Sequence, residues 1–359
     1  MSALATVPAH RGWDLQLGRT FLHPAFDYLV IGGGLSLVLT AFLSARGPAR
    51  GLAFIGVGLP AFLFFSNLAH FAASTVRLYT KPRAFETYRF LTMAFPLVSL
   101  AVLTLAIWQA EGLGANLQAL YLTWSPYHYA AQAYGLAVMY CYRSGCELTG
   151  GEKRLLRGTC LLPFLFSFLS TSGSGIEWFV SPLSFVEHPA WHLARGLLGF
   201  ALGLLSLLLP VGFFALIMHR GKSMPLISLL VVAANGVWWV ALTYMDAFIW
   251  ATVFHGLQYL AITLIFHVRE RLKEPANRHG WLHHALRFYG LSVLLGYGLF
   301  QLLPFGYTAL GFGWAESVLL VVAAINVHHF IVDAYIWRLR QDPNYAVVTG
   351  APAYSPVAS

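Results

Sequence analysis

Apolar runs of about twenty residues recur along the whole chain, parted by short stretches that hold most of its arginine, lysine and acidic residues. A run of that length spans the hydrocarbon core of a bilayer as a helix. Ten such runs are expected, at 26–45, 52–74, 89–110, 118–141, 155–173, 192–218, 225–244, 247–268, 286–303 and 313–337. The apolar stretch between Ser223 and Arg271 is too long for one crossing, and Asp246 is its only acidic residue before Glu270. A tight turn is therefore expected at Asp246. The alternating segments of an outer-membrane barrel are absent. The pattern predicts an all-α integral membrane protein, a polytopic bundle of about ten transmembrane helices.

Charge gives the orientation. With the N-terminus inside, inner loops carry Arg77, Lys81 and Arg83, then Arg143, Lys153 and Arg154, then Arg220 and Lys222, then Arg269, Arg271, Lys273 and Arg278. Outer loops carry Glu111, Glu177, Glu187, Asp246 and Glu316, and only Arg46 and Arg50 break the rule. Positive loops face the cytoplasm, so both termini are expected there, in a bacterial inner membrane. No loop leaves room for a soluble domain. Residues 1–340 read as one transmembrane domain and 341–359 as a loose tail.

Composition agrees. Hydrophobic residues make up 58% of the 359 and charged residues 10%, against about a quarter charged in a soluble domain. The formal charge of +8 is explained by the inner loops, and no basic run points to nucleic acid. Three cysteines, Cys141, Cys146 and Cys160, suggest neither a disulfide framework nor a thiolate metal site. The N-terminal segment has no apolar core after a basic start, so no cleavable signal peptide is expected.

The candidate chemistry lies inside the spans. His70, His128, His255 and the pair His328–His329 sit within apolar runs, all on even-numbered spans. At 1.5 Å per residue their depths differ by about 12 Å at most, so one layer or two stacked groups are possible. A local pattern repeats: histidine, an aromatic, two small or apolar residues, then a polar residue. His70 to Ser74, His128 to Gln132 and His329 to Asp333 follow it, and His255–Gly–Leu–Gln258–Tyr259 is a variant. The polar residue lies one turn further along the same helix face, and Asn67 joins the face of His70. Helical bundles build metal sites from inward side chains in this way. His70, His128, His255, His328 and His329 are the expected ligands. Asp333 is the expected catalytic acidic ligand or orienter. Asn67, Ser74, Gln132, Gln258 and Tyr259 would be supporting groups that fix the imidazoles. Asp333 favours His329 over His328 as the inward residue.

The plainer alternative for each histidine is an interhelical hydrogen bond, worth about 0.6–2 kcal/mol. Five histidines on four spans, each with a polar partner, weigh against it, since ionisable groups in a membrane mark function by default.

Two further clusters, HGWLHH (His279, His283, His284) and HPAWH (His188, His192), resemble pieces of the histidine boxes of membrane fatty-acid desaturases and hydroxylases. That resemblance would imply a metal site outside the spans. The full set of boxes is missing, and the topology puts the two clusters on opposite sides. His279, His283 and His284, like His219 and His267, then read as interfacial. The run GGG at 32–34 and Gly51, Gly56 and Gly58 read as close helix packing, and Pro126 as a kink beside His128.

Imidazoles with one carboxylate suit iron. The sequence thus points to a membrane oxidoreductase with non-haem iron, acting on a lipid-like substrate from the bilayer with an electron donor as partner. A haem-binding electron-transfer protein, a transporter or proton relay, and a scaffold without chemistry are the alternatives. Arg77 and Arg338, at inner helix ends, could meet a substrate headgroup. Oligomeric state is not legible.

Overall fold

The structure, a computed structural model, describes residues 15–47, 59–181, 183–337 and 348, apart from the side chains of 184 and 185. Long helices follow one another. A short α1 (Pro24–Ile31) leads into α2 (Gly34–Arg46), bent from it by 56°. Then come α3 (Leu59–Thr80) and α4 (Phe90–Trp108), α5 (Ala115–Arg143) and α6 (Gly150–Ser170). The remainder are α7 (Pro189–His219), α8 (Leu226–Tyr244), α9 (Ile249–Leu272), α10 (Trp281–Ala309) and α11 (Trp314–Ile336). Among the described residues the only bridge of β type joins Gln16 and Pro225.

Seven of these helices are long and apolar enough to cross a membrane, or eight if the bent pair α1–α2 is one span. This is a multi-pass membrane architecture. α5 and α6 occupy two further expected runs and are long enough, but they carry more polar side chains. The expected turn is present: Asp246 has a left-handed backbone, φ 52°, and its amide donates to the Thr243 carbonyl at 3.1 Å.

α9 is the central helix and is mostly buried, whereas α7 and α10 turn most of their surface outward. The outward side chains are leucine and phenylalanine, such as Leu193, Leu197, Phe200 and Leu294, as a lipid-facing surface requires. Two glycines let α3 approach its neighbours. A Cβ on Gly296 of α10 would lie 2.7 Å from the Leu68 carbonyl oxygen, and one on Gly256 of α9 would lie 3.3 Å from that of Ser66. Gly256 follows His255 directly, so this contact brings His255 against the turn of α3 that carries His70. Just before that turn α3 widens to π geometry over Leu63–Leu68, a distortion often found at functional sites.

Gly33, expected as a packing residue, breaks the helix instead. Its φ is +81°, and the break frees the Ile31 carbonyl to accept from Gln258 at 2.5 Å. Asp27 of α1 is fully buried. It accepts from the Phe21 amide at 2.5 Å, the Leu22 amide at 3.0 Å and the Tyr140 hydroxyl at 2.8 Å, which ties the N-terminal segment to α5.

Basic residues gather at one end of the bundle. Arg143 donates to the Thr20 carbonyl at 2.8 Å, Arg269 to that of Phe21, and Lys222 to Glu152 at 2.5 Å. At the other end Trp178 donates to Asn116 at 2.9 Å and Arg195 pairs with Glu177 at 3.2 Å. Most of the expected tail lies outside the described residues. Val348 is buried, and its carbonyl accepts from Arg143 at 3.3 Å.

Candidate metal centre

Four helices each bring one imidazole to the same point. The ring centroids form a closed circuit: His70 to His255 5.0 Å, His255 to His128 5.3 Å, His128 to His329 4.9 Å and His329 to His70 4.7 Å. Each pair meets edge to face. The four rings therefore make one layer, in which α3, α5, α9 and α11 contribute one side chain apiece. All four residues are buried.

Asp333 joins this layer from one turn along α11. Its Oδ2 lies 3.5 Å from His329 Nε2 and 3.9 Å from His128 Nε2, and the two Nε2 atoms lie 3.2 Å apart. Ligands held at about 2.1 Å from one ion are separated by about 3.0–3.4 Å in octahedral to tetrahedral geometry. The triangle is slightly wider than that on its carboxylate edges. A second ligand group, His70, His128 and His255, places one nitrogen of each within 4.8 Å of the others. His128 belongs to both.

The hydrogen-bond inventory fits a cation. Among the described residues His70 Nε2 and both ring nitrogens of His255 have no hydrogen-bond partner. Buried polar atoms nearly always find one, and an unsatisfied one costs about 1–3 kcal/mol. His70 Nδ1 sits 3.2 Å from the Asn67 carbonyl. That contact makes Nδ1 the donor and leaves the Nε2 lone pair directed at the other rings. His329 is oriented likewise, with Nδ1 3.0 Å from Ser74 Oγ. Tyr259 donates to Asp333 Oδ1 at 2.5 Å, leaving Oδ2 for the imidazole side. His255 is held by stacking on Tyr129 at 3.7 Å, and His128 by stacking on Phe330 at 4.6 Å. Buried histidine groups that can hold a metal are thus a property of this bundle.

The supporting residues act differently from the expected pattern. Ser74 orients His329 of another helix, not His70 of its own. Gln132 donates to Gln258 at 2.7 Å, and Gln258 donates to Ile31, so this pair clamps α5, α9 and the α1–α2 break together without bonding an imidazole. Asn67 serves His70 through its carbonyl, and its Oδ1 has no partner among the described residues.

An elongated cavity of about 620 Å³ opens on the centre. His128, Asp333, Tyr259 and Gln132 supply its polar wall, and Trp124, Phe330 and Trp337 are among its apolar walls. Along α5 it runs from Trp124 to Met139, about 22 Å at helical rise. Its lining includes the exposed Ala131 and Ala334 and the half-buried Gly135. These three put small side chains on its wall between α5 and α11.

Other expected residues lie elsewhere. His328 points away from the quartet and stacks on Phe95 at 4.8 Å, lining a separate apolar pocket between α3, α4, α10 and α11. Arg77 is fully buried and pairs with Glu270 at 2.8 Å, with its guanidinium 5.0 Å from the Trp337 ring. It therefore does not reach a headgroup: the apolar collar of α9 and Trp337 closes over it. Arg338 lies outside the described residues. HPAWH begins α7 at the end of the bundle that holds Glu177, and HGWLHH begins α10 at the opposite end, so the two box-like clusters do not meet. Tyr129 and Phe330, which fix two of the imidazoles, were not singled out by sequence. Each is the aromatic of the repeated pattern.

Comparison with protein-family models, with curated proteins and with solved structures returns no match for this chain. Fold and site define its class on their own: a multi-pass helical membrane protein with a buried histidine–carboxylate cluster.

Proposed function

We propose that the chain is an integral-membrane oxidoreductase that holds non-haem iron on His70, His128, His255, His329 and Asp333 and oxidises a lipid-like substrate. One observation carries this reading: the triangle of two imidazoles and one carboxylate, His128, His329 and Asp333, borders a largely apolar cavity of about 620 Å³. Two histidines and one carboxylate are the donor set of non-haem iron oxygenases, and His70 and His255 add further imidazole donors to it. Iron held by these residues would supply dioxygen activation. The four rings touch one another, which favours an ion over a haem among them.

The residues have separate tasks in this scheme. His70 and His255 close the side away from the cavity. Tyr259 fixes the carboxylate, and Ser74 and the Asn67 carbonyl set the tautomers of His329 and His70. The aromatic walls keep water out and align an extended apolar chain beside His128 and Asp333.

Hydroxylation would consume one dioxygen, two electrons and two protons, placing one oxygen in a C–H bond and releasing the other as water. Desaturation would use the same inputs and release two waters. Cleavage of a C=C bond would take both oxygens and no outside electrons. The first two need a donor protein or quinol. The gathering of basic loops at one end supports a cytoplasmic location for that end and for both termini, in a bacterial inner membrane with ten crossings in all.

The test is incubation of the protein, reconstituted in vesicles of membrane lipid extract, with ¹⁸O-labelled dioxygen and a reductant. Lipid products that carry ¹⁸O or are two hydrogens lighter, lost in Asp333→Asn, are expected. An unchanged lipid profile with iron-loaded protein would overturn the oxidoreductase reading.

A further inference from the structure

A second cavity, at the basic end of the bundle, takes no part in the metal centre. It has a volume of about 330 Å³ and is lined by Thr80, His267, Arg271, Arg278, His279 and Arg287, among others. Glu274 is the one carboxylate on its wall, and it is engaged by Arg271 at 2.6 Å. Three guanidiniums thus face one carboxylate around a space large enough for a small polar group. Its floor is buried. His267 rests on Phe288 with ring centroids 4.5 Å apart, and His284 Nε2 meets Asn277 Oδ1 at 2.8 Å. Asn277 Oδ1 also accepts from the His279 amide at 3.1 Å, which fixes the turn into α10.

The chemistry of this wall selects an anion. His279 and His283 stack face to face at 4.0 Å, so their nitrogen edges do not converge on a common ion, and the arginines repel a cation. Gly280, the cap residue just before α10, supplies no capping side chain. The first-turn amides therefore add the positive end of the helix dipole. Arginine forks match phosphate oxygens in geometry. Trp281, Leu282 and Leu286 are exposed beside the opening. A tryptophan next to outward leucines marks the level where headgroups meet hydrocarbon.

We propose that this cavity binds a phosphate-bearing anion, held by Arg278 and Arg287 together with Arg271. Basic pockets between membrane helices take anionic lipid headgroups in this manner, and free phosphate would satisfy the same donors.

The test uses the full chain in detergent, with native mass spectrometry to count bound phosphatidylglycerol and phosphatidylcholine, and inorganic phosphate as competitor. The comparison protein is Arg278→Gln with Arg287→Gln, both exposed residues. A control, Arg89→Gln with Arg154→Gln, removes the same charge elsewhere. The expected result is retention of phosphatidylglycerol over phosphatidylcholine, with affinity falling at least about tenfold in the cavity variant and unchanged in the control. Competition by millimolar inorganic phosphate would assign the site to phosphate itself, and its absence would assign it to the lipid headgroup. Equal retention of both lipids without phosphate binding, or equal loss in the control variant, would overturn the proposal.

Discussion

His128 and His329 face each other Nε2 to Nε2 at 3.2 Å, from helices α5 and α11. Two imidazole nitrogens at that separation share either one proton or one cation. His329 already uses Nδ1 on Ser74, and Asp333 Oδ2 completes a triangle with the pair. The shared-cation arrangement also accounts for the partnerless nitrogens of His70 and His255.

Neighbouring histidines on α11 give the first prediction. His329→Ala should abolish metal retention, while His328→Ala should retain wild-type metal content because its ring lies on Phe95. Metal analysis of the two purified variants checks this. Equal loss in both would place His328 at the centre.

Tyr259→Phe removes the hydroxyl that holds Asp333 Oδ1. Partners of metal ligands typically contribute 10–100-fold in affinity, so chelator competition should show a loss of that order with the fold intact. An unchanged affinity would mean that Asp333 needs no orientation.

Gly135 lines the cavity, and a Cβ there meets nothing within 4 Å. Gly135→Leu should therefore fold normally, hold metal normally and block the substrate path. Product formation should fall by more than about tenfold at full metal content, since a misplaced substrate alone can cost that much. Undiminished turnover would exclude this cavity as the route.

Glu152 gives a pH prediction. Burial raises its pKa, but hydrogen bonds from Lys222, the Thr149 amide and Arg220 outweigh burial and hold the carboxyl at about 2. Its folded pKa is below the unfolded value of about 4.3. The stabilisation is thus complete above that value and is lost as pH falls from about 4.3 toward 2. Thermal unfolding in detergent should show a declining midpoint over that window, with a flatter decline and a lower neutral-pH midpoint in Glu152→Gln. A variant with the full acid slope would contradict the assignment.

Glu270 neutralises the fully buried Arg77. Glu270→Ala should cost about 2–3 kcal/mol in unfolding stability, below the usual 3–5 kcal/mol for breaking a buried pair, because the Glu270 side chain keeps 21% of its surface exposed. Denaturant titration measures this directly, and a change under about 0.5 kcal/mol would contradict Glu270 as the group that offsets the buried charge.

Much of the centre was legible in the sequence because helix periodicity is local. The four-residue step from His329 to Asp333 put both on one face and favoured His329 over its neighbour. Similar depth allowed the histidines one layer or two stacked groups, of which the structure shows one layer. The partners across helices were not legible. Ser74 serves His329, and Gln132 serves Gln258, because packing decides which faces meet, and no spacing encodes that. The break at Gly33 read as a packing glycine, since a left-handed φ and a small contact surface both select glycine. Arg77 read as an interfacial cation because its partner is far away in sequence. The helical membrane class followed from apolar run length. The number of crossings is less sharply written, because α5 and α6 carry polar residues that dilute the apolar signal.

The most direct measurement is the metal content and absorption spectrum of detergent-purified protein, alongside His70→Ala, His128→Ala, His255→Ala and His329→Ala. This account predicts near-stoichiometric iron without a Soret band, lost in each variant. Protein that stays metal-free after iron is supplied under reducing conditions, or a Soret band in the wild type, would contradict it.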